Sequence, residues 1–189
     1  MNFTTPLYKL NPLNRFSDKA NNYTKYRPNY PDTVIDKILE NLNLGNLIVA
    51  DIGAGTGIAA RQLATRGVNV IAIEPNLEMR EAAISSPSIE WKNGTAENTN
   101  LPEKSVDLIT CFQAFHWFQP EPTLLEFRRI LKPKGRIGIV FQDLNRDDEF
   151  TQAYWNIISK AANNRPPSYL NTKISPLQQS SDFKYIESA

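Results

Sequence analysis

Apolar and polar positions along this chain follow two alternating periods. Val34, Ile35, Ile38, Leu39 and Leu42 recur at i, i+3 and i+4, which predicts a helix opening near Pro31 and stopping at Gly45. LIVADIG (47–53) follows as an unbroken apolar run of strand length. A helical pattern from about Gly57 to Arg66, closed by Gly67, leads into a second apolar run, VNVIAIE. The alternation continues with a helix over 77–84, a short strand at 89–92 and the strand SVDLITCF. A helix from about Glu121 to Leu131, a turn over 132–135 and the strand RIGIVFQ complete it. A short helix is expected from Phe16 to Tyr26, ending near Arg27 because Pro28 disfavours helical geometry in the residue before it. After Asp147 an amphipathic helix carries Phe150, Tyr154, Ile157 and Ile158. Strands alternating with helices, the first two as continuous apolar runs, indicate a mostly parallel sheet covered on both faces. The expectation is a doubly wound, Rossmann-like α/β fold.

Composition narrows the class. A chain of 189 residues, 41% hydrophobic and 22% charged, suits one soluble domain. The net charge of +1 and the dispersed Lys and Arg give no electrostatic footprint for nucleic acid or a membrane surface, so a small-molecule partner is expected. The opening residues lack an apolar signal core and no run of about eighteen apolar residues occurs, which points to the cytoplasm. One cysteine, Cys111, and one histidine, His116, give neither an internal disulfide nor a conventional metal site. Cys111 falls inside an apolar strand and reads as core.

Chemistry concentrates in VADIGAGTGIAA (49–60), where three glycines sit at alternate positions behind a strand. Such a turn lets backbone approach a ligand, and the helix N-terminus after it offers unpaired N–H groups. The acid expected about 20 residues on is Glu74, at the end of the second strand, placed to accept hydrogen bonds from ribose hydroxyls. GTGIAA also satisfies the dinucleotide fingerprint, so the glycines leave a nicotinamide-dependent dehydrogenase open. Asp51, two residues before Gly53, favours a cationic ligand over a pyrophosphate.

Taken together, these segments resemble the class I S-adenosylmethionine-dependent methyltransferases. VADIGAGTG resembles their first motif, AIEPN their acidic second-strand end, NGTAENTNLPEKSVDLI their adenine loop and fourth strand, and RRILKPKGRIGIV the turn into their fifth strand. The similarity spans about residues 16 to 145. YTKYRPNYP with FQAFHWF resembles, more narrowly, the small-molecule branch that includes trans-aconitate methyltransferase-like proteins. The resemblance implies S-adenosyl-L-methionine as cofactor. Asp51, Gly53 and Gly55 would meet its methionine part, Glu74 the ribose, and Thr95 with Ala96 the adenine edge. Gln113 would lie beside the donor. Relatives often carry Asp where this chain has Thr95.

The same resemblance implies that residues 1–30 form an N-terminal arm and lid, 31–145 the cofactor-binding core, and 146–189 a C-terminal helix and tail shorter than the family's. Tyr23 and Arg27 from the lid would face the cofactor, with Tyr30 and Trp117 toward the substrate. His116 is the candidate for catalytic proton transfer, set against wall-building and aromatic packing. A carboxylate acceptor would already be ionised at neutral pH and need no base. The family's closing antiparallel strand pair is expected to be missing, which motivates two further readings. One is a homodimer that covers the last strand, and the other a cofactor- or partner-binding protein without transferase activity.

Overall fold

Five parallel strands, in the order β3-β2-β1-β4-β5, form the sheet of the computed structural model, which describes residues 7–9, 26–142, 147–161, 180 and 183. They are β1 (Ile48–Ile52), β2 (Asn69–Ile73), β3 (Ile89–Lys92), β4 (Val106–Phe112) and β5 (Leu131–Val140). The helices between them are α1 (Asp32–Leu39), α2 (Ile58–Ala64), α3 (Leu77–Glu81) and α4 (Pro120–Ile130). Because the order reverses beside β1, the loops after β1 and β4 diverge there, and a crevice opens at the carboxyl edge. The chain divides after Val140 into two units, and α5 (Glu149–Ala161) belongs to the second. Asp148 caps α5 through Oδ2, which accepts from the Thr151 N–H and hydroxyl, each at 2.8 Å.

The central strands are apolar because both of their faces are covered. Val49, Ala50, Val70, Ala72, Leu108 and Ile109 are buried, joined on one face by Ile35 and Leu39 of α1 and Leu63 of α2. Cys111 is buried in β4. Registers are fixed from Ile48↔Asn69 through Ile52↔Ile73 and from Val49↔Leu108 to Asp51↔Thr110, so Asp51 enters the centre of the sheet at its carboxyl edge.

Several boundaries differ from the sequence expectation, each for a local reason. α1 ends at Leu39, well before Gly45, because Asn41 adopts φ 60° and turns the chain early. Pro31 caps α1 from outside rather than filling its first turn. α3 stops at Glu81 instead of Ile84. The expected turn over 132–135 is a bulge inside β5: Val106 pairs with Leu131 and Leu108 with Arg136, so the intervening residues face Asp107 alone. The Asp107 carboxylate accepts from Lys132 Nζ at 2.8 Å and from the Ile48 N–H at 3.0 Å, pinning that bulge to β1. A Cβ at Gly135 would lie 2.9 Å from the Lys132 carbonyl oxygen, a backbone atom with little room to give, which favours glycine there. The helix expected over 16–26 lies outside the described residues apart from Tyr26, itself helical.

The loop after β3 is tied to α4 by a buried carboxylate. Glu126 Oε1 accepts from the Thr99 N–H at 2.8 Å and from the Thr99 hydroxyl, while Oε2 accepts from Arg129 Nε at 2.7 Å. Arg129 and the Thr99 donors together hold the Glu126 carboxyl below the usual range despite the opposing cost of burial. Glu126→Ala strands two buried donors and should cost about 2–4 kcal/mol of unfolding free energy. Urea denaturation at neutral pH measures the loss, and a change within 0.5 kcal/mol, the range of about an ordinary surface substitution, contradicts the anchoring role.

Candidate functional site

A cavity of about 520 Å³ opens at the carboxyl ends of β1, β2 and β4. Its floor is the glycine turn after β1, in which Gly53, Gly55 and Gly57 all have positive φ (71°, 58° and 76°). At Gly53 the constraint is close approach, since a Cβ would meet Ala114 Cβ at 2.7 Å and Phe118 Cζ at 3.1 Å. At Gly55 a Cβ would meet nothing within 4 Å, so that position faces open cavity. The turn is held to β2 by the Gly53 and Ala54 N–H groups, which donate to the Ile73 carbonyl at 2.9 and 3.1 Å.

Two buried acids reach the cavity in different states. Glu74, 9% exposed, accepts from the Gly55 N–H at 2.8 Å through Oε2 and from the Asn76 N–H at 3.0 Å through Oε1. Desolvation raises its pKa, opposed by these two hydrogen bonds and by Arg80. Asp51 is 1% exposed; among the described residues, its Oδ1 accepts from the Thr110 hydroxyl at 2.9 Å and its Oδ2 has no hydrogen-bond partner. Burial pushes Asp51 up to about 7, against the Thr110 bond and with the Glu74 charge adding to the shift. Asp51 is part of the cavity lining, and a buried carboxylate with an unsatisfied oxygen can take a cation or a hydrogen-bond donor.

Of the residues anticipated from the sequence, Asp51, Gly53, Gly55, Glu74, Thr95, Ala96, Gln113, Tyr30 and Trp117 all line this one cavity. Arg27 is half-buried but not part of the lining, and Tyr23 lies outside the described residues. His116, the anticipated proton carrier, occupies the middle of a short 3-10 turn, Phe115–Trp117, with its ring centroid 5.3 Å from that of Trp117. That turn delivers Trp117 to the lining and leaves His116 out of it. The spacing FHW gave the two aromatics equal claims, and the direction of one 3-10 turn separates them.

Other contributors were not anticipated. Tyr8 reaches the cavity from a 3-10 turn, Leu7–Lys9. Gln62 of α2 clamps the Tyr30 backbone by accepting from its N–H at 2.9 Å and donating Nε2 to its carbonyl at 2.7 Å. That fixes the Tyr30 ring against Phe112, centroids 4.7 Å apart. Thr110 was legible in principle, as the one hydroxyl in an apolar strand, whereas a residue such as Tyr8 carries no signal of its destination.

Comparison with known proteins identifies the architecture. Residues 50–139 match the family model described as "Methyltransferase domain". Over these residues the chain is similar to a methyltransferase domain. It is 34% identical over 139 residues to an uncharacterized methyltransferase-like protein of Schizosaccharomyces pombe, covering 72% of this chain and 54% of that one. To malonyl-[acyl-carrier protein] O-methyltransferase 1 of Coxiella burnetii it is 38% identical over 111 residues, covering 56% of this chain and 38% of the relative. A solved structure, a candidate type II methyltransferase from Anaeromyxobacter dehalogenans, superposes with a TM-score of 0.72 at 26% identity, covering 87% of this chain and 70% of that one. The chain spans about half the length of the curated relatives it matches first. The match decides the question left open by the glycine fingerprint, in favour of S-adenosylmethionine over a nicotinamide cofactor. The site suits that cofactor, because Asp51 Oδ2 is an unsatisfied acceptor and Gly55 leaves the floor open.

Asp51 has a measurable signature in the ligand-free protein. A carboxyl whose pKa is raised on folding is protonated more readily in the folded than in the unfolded chain, so it penalises folding as pH climbs from its unfolded value of 3.8 toward 7. Above that the penalty is constant, at about 4 kcal/mol for a shift of roughly three units. Asp51→Asn lacks this titration, so its stability relative to the wild type should improve between pH 4 and pH 8 by up to that amount. Denaturation curves at several pH values report the difference, and a pH-independent gap would show that Asp51 does not titrate as its burial requires.

Proposed function

We infer that this domain catalyses S-adenosylmethionine-dependent methyl transfer to a small-molecule acceptor, and the observation that carries the reading is the unsatisfied buried oxygen of Asp51 beside Glu74 in one cavity. When bound, the cofactor supplies an activated methyl group on a positively charged sulfur, with an ammonium group on the same end. Asp51 is the counter-charge for that positive end, and its pull is strong because burial leaves little water to screen it. Glu74 keeps lone pairs on both oxygens beyond the bonds to Gly55 and Asn76, and these accept ribose hydroxyls. Ala96 and Thr95 line the same cavity and would border the base. Tyr30, held by Gln62, and Trp117 wall the acceptor side and exclude water.

The domain's contribution to rate is positioning: the acceptor's nucleophilic atom is held in line with the methyl group, which converts a bimolecular step into an effectively unimolecular one. A carboxylate acceptor, as in the trans-aconitate-like branch that the sequence resembles, fits this site in one respect. It reaches neutral pH already ionised and needs no base, in keeping with the position of His116 outside the cavity lining. The malonyl-acyl carrier protein O-methyltransferase among the relatives supports the same acceptor chemistry. Incubation with methyl-labelled donor and candidate acids tests transfer. Binding of the donor without labelled product, across acids, phenols and amines, would leave a cofactor-binding protein instead.

Two binding measurements test the residue roles. Glu74→Ala removes charged hydrogen bonds of about 1.5–3 kcal/mol, so S-adenosylhomocysteine should bind roughly ten- to a hundredfold more weakly. Unchanged affinity in titration calorimetry would remove Glu74 from the ribose site. Asp51 must be ionised to hold a cation, so donor affinity should fall by up to tenfold per pH unit as pH drops below about 7. Asp51→Asn should flatten that slope, and a slope that survives the substitution assigns the titration to another group.

A further inference from the structure

Gln62 is a long polar side chain buried at 8% exposure on α2, and both ends of its amide go to one residue of a distant segment. Its Oε1 accepts from the Tyr30 N–H at 2.9 Å and its Nε2 donates to the Tyr30 carbonyl at 2.7 Å. Tyr30 precedes Pro31, and the residue before a proline is held to extended backbone. An extended residue turns its N–H and C=O to the same side, where a neighbouring strand would pair with both, and here one side-chain amide takes the place of that strand. The preceding residue of the helix, Arg61, donates Nη1 to the Thr56 carbonyl of the glycine turn at 2.7 Å. Successive residues of α2 thus hold the cavity floor and the Tyr30 wall, and the helix fixes the spacing between them.

The sheet order fixes which part of a ligand that wall meets. On one side of β1 lies β2, followed directly by Glu74, and on the other lies β4, which ends at Phe112. The Tyr30 ring stands against Phe112, centroids 4.7 Å apart, and both residues line the cavity. A donor with its positive end at Asp51 and its ribose toward Glu74 therefore leaves the Phe112 side to the methyl acceptor. We propose that Gln62 is a positioning residue for the acceptor, setting its affinity by holding Tyr30 at a fixed depth in the wall. The proposal rests on the methyl-transfer reading above. Gln62 itself stands outside the cavity lining, so its effect on the acceptor passes through Tyr30. A wall contact made equally with the bound acceptor and in the transition state changes KM and leaves kcat as it was.

The test is a double-mutant cycle on the full chain. Transfer is read from saturating methyl-labelled S-adenosylmethionine to trans-aconitate, benzoate, phenol and benzylamine, and S-adenosylhomocysteine affinity is measured in parallel by titration calorimetry. Gln62→Met keeps the length of the side chain and removes both bonds to Tyr30. For the acceptor that wild type methylates fastest, KM should rise about tenfold, with kcat and S-adenosylhomocysteine affinity within about twofold of wild type. Gln62→Glu retains an acceptor for the Tyr30 N–H and should raise KM by less. Tyr30→Ala should raise KM at least as far as Gln62→Met, and combining the two should add nothing further, because residues acting through one contact are not additive. Gln62→Glu carries the same cycle should Gln62→Met fail to fold. Absence of transfer by wild type to all four compounds overturns the methyl-transfer reading and the proposal with it. Wild-type transfer with an unchanged KM in the Gln62 variants, with full additivity in the cycle, or with donor affinity lost in equal measure overturns the role of Gln62 alone.

Discussion

An ionisable carboxylate placed in the centre of a parallel sheet is the constraint around which this domain is arranged. Asp51 is the second-last residue of β1, flanked in register by Ala72 and Thr110 and cut off from water. A lone hydroxyl is a poor substitute for hydration, so the folded protein holds this group at a cost. Such a cost persists where the group has work to do with a ligand that neutralises it. The position follows from topology: β1 is the strand at which the order reverses, and a residue at its carboxyl end faces the crevice between the diverging loops.

The neighbouring acid solves the same problem in the opposite way. Glu74 is buried too, but it takes N–H groups from Gly55 and Asn76, one from the glycine turn and one from the start of α3. It thus braces the turn that Asp51 leads into, and its charge raises the cost of ionising Asp51. A positively charged ligand end relieves Asp51 directly. A neutral diol suits Glu74, which is already half-satisfied and orients without needing a charge. One site therefore presents an acceptor that wants a cation beside an acceptor that wants a hydroxyl, and this polarity orients an asymmetric ligand before any shape is considered.

Elements whose signal is periodic or local were legible in the sequence. The central strands β1, β2 and β4 fell where the apolar runs were, because burial on both faces favours that composition, and β3 kept its expected limits. The glycine turn, Asp51 and Glu74 were legible because each lies at or directly after the end of a strand, so sequence distance fixes position. Features set by long-range packing were not. The bulge in β5 looks like a loop in sequence because Lys132, Pro133, Lys134 and Gly135 are turn formers, and only the pairing of Asp107 with Lys132 and Ile48 shows that the strand continues past them. Gln62 looked like an ordinary polar position on a helix; its clamp on Tyr30 joins residues 32 apart. His116 and Trp117 were indistinguishable in sequence, since which of two adjacent aromatics faces a cavity depends on the backbone turn that carries them.

That turn has its own cause, and it separates the two halves of the site. Gln113, directly after β4, adopts φ 54°, a conformation that costs a non-glycine residue about 1 kcal/mol or more. Its N–H is nonetheless bonded to the Val140 carbonyl at 2.9 Å, so the ladder to β5 holds it in place while the chain reverses direction. Ala114 is thereby pressed against Gly53, and the following 3-10 turn swings over the cavity with Trp117 facing in. The cavity floor is thus built from the glycine turn and the carboxylates of Asp51 and Glu74 at the sheet edge. The opposite wall is built from side chains on a strained reversal and on the segment around Tyr30, where substitution alters shape without disturbing the sheet. The floor was legible from motif spacing, whereas on the opposite wall the sequence named Tyr30 and Trp117 but not the turn and the Gln62 clamp that aim them.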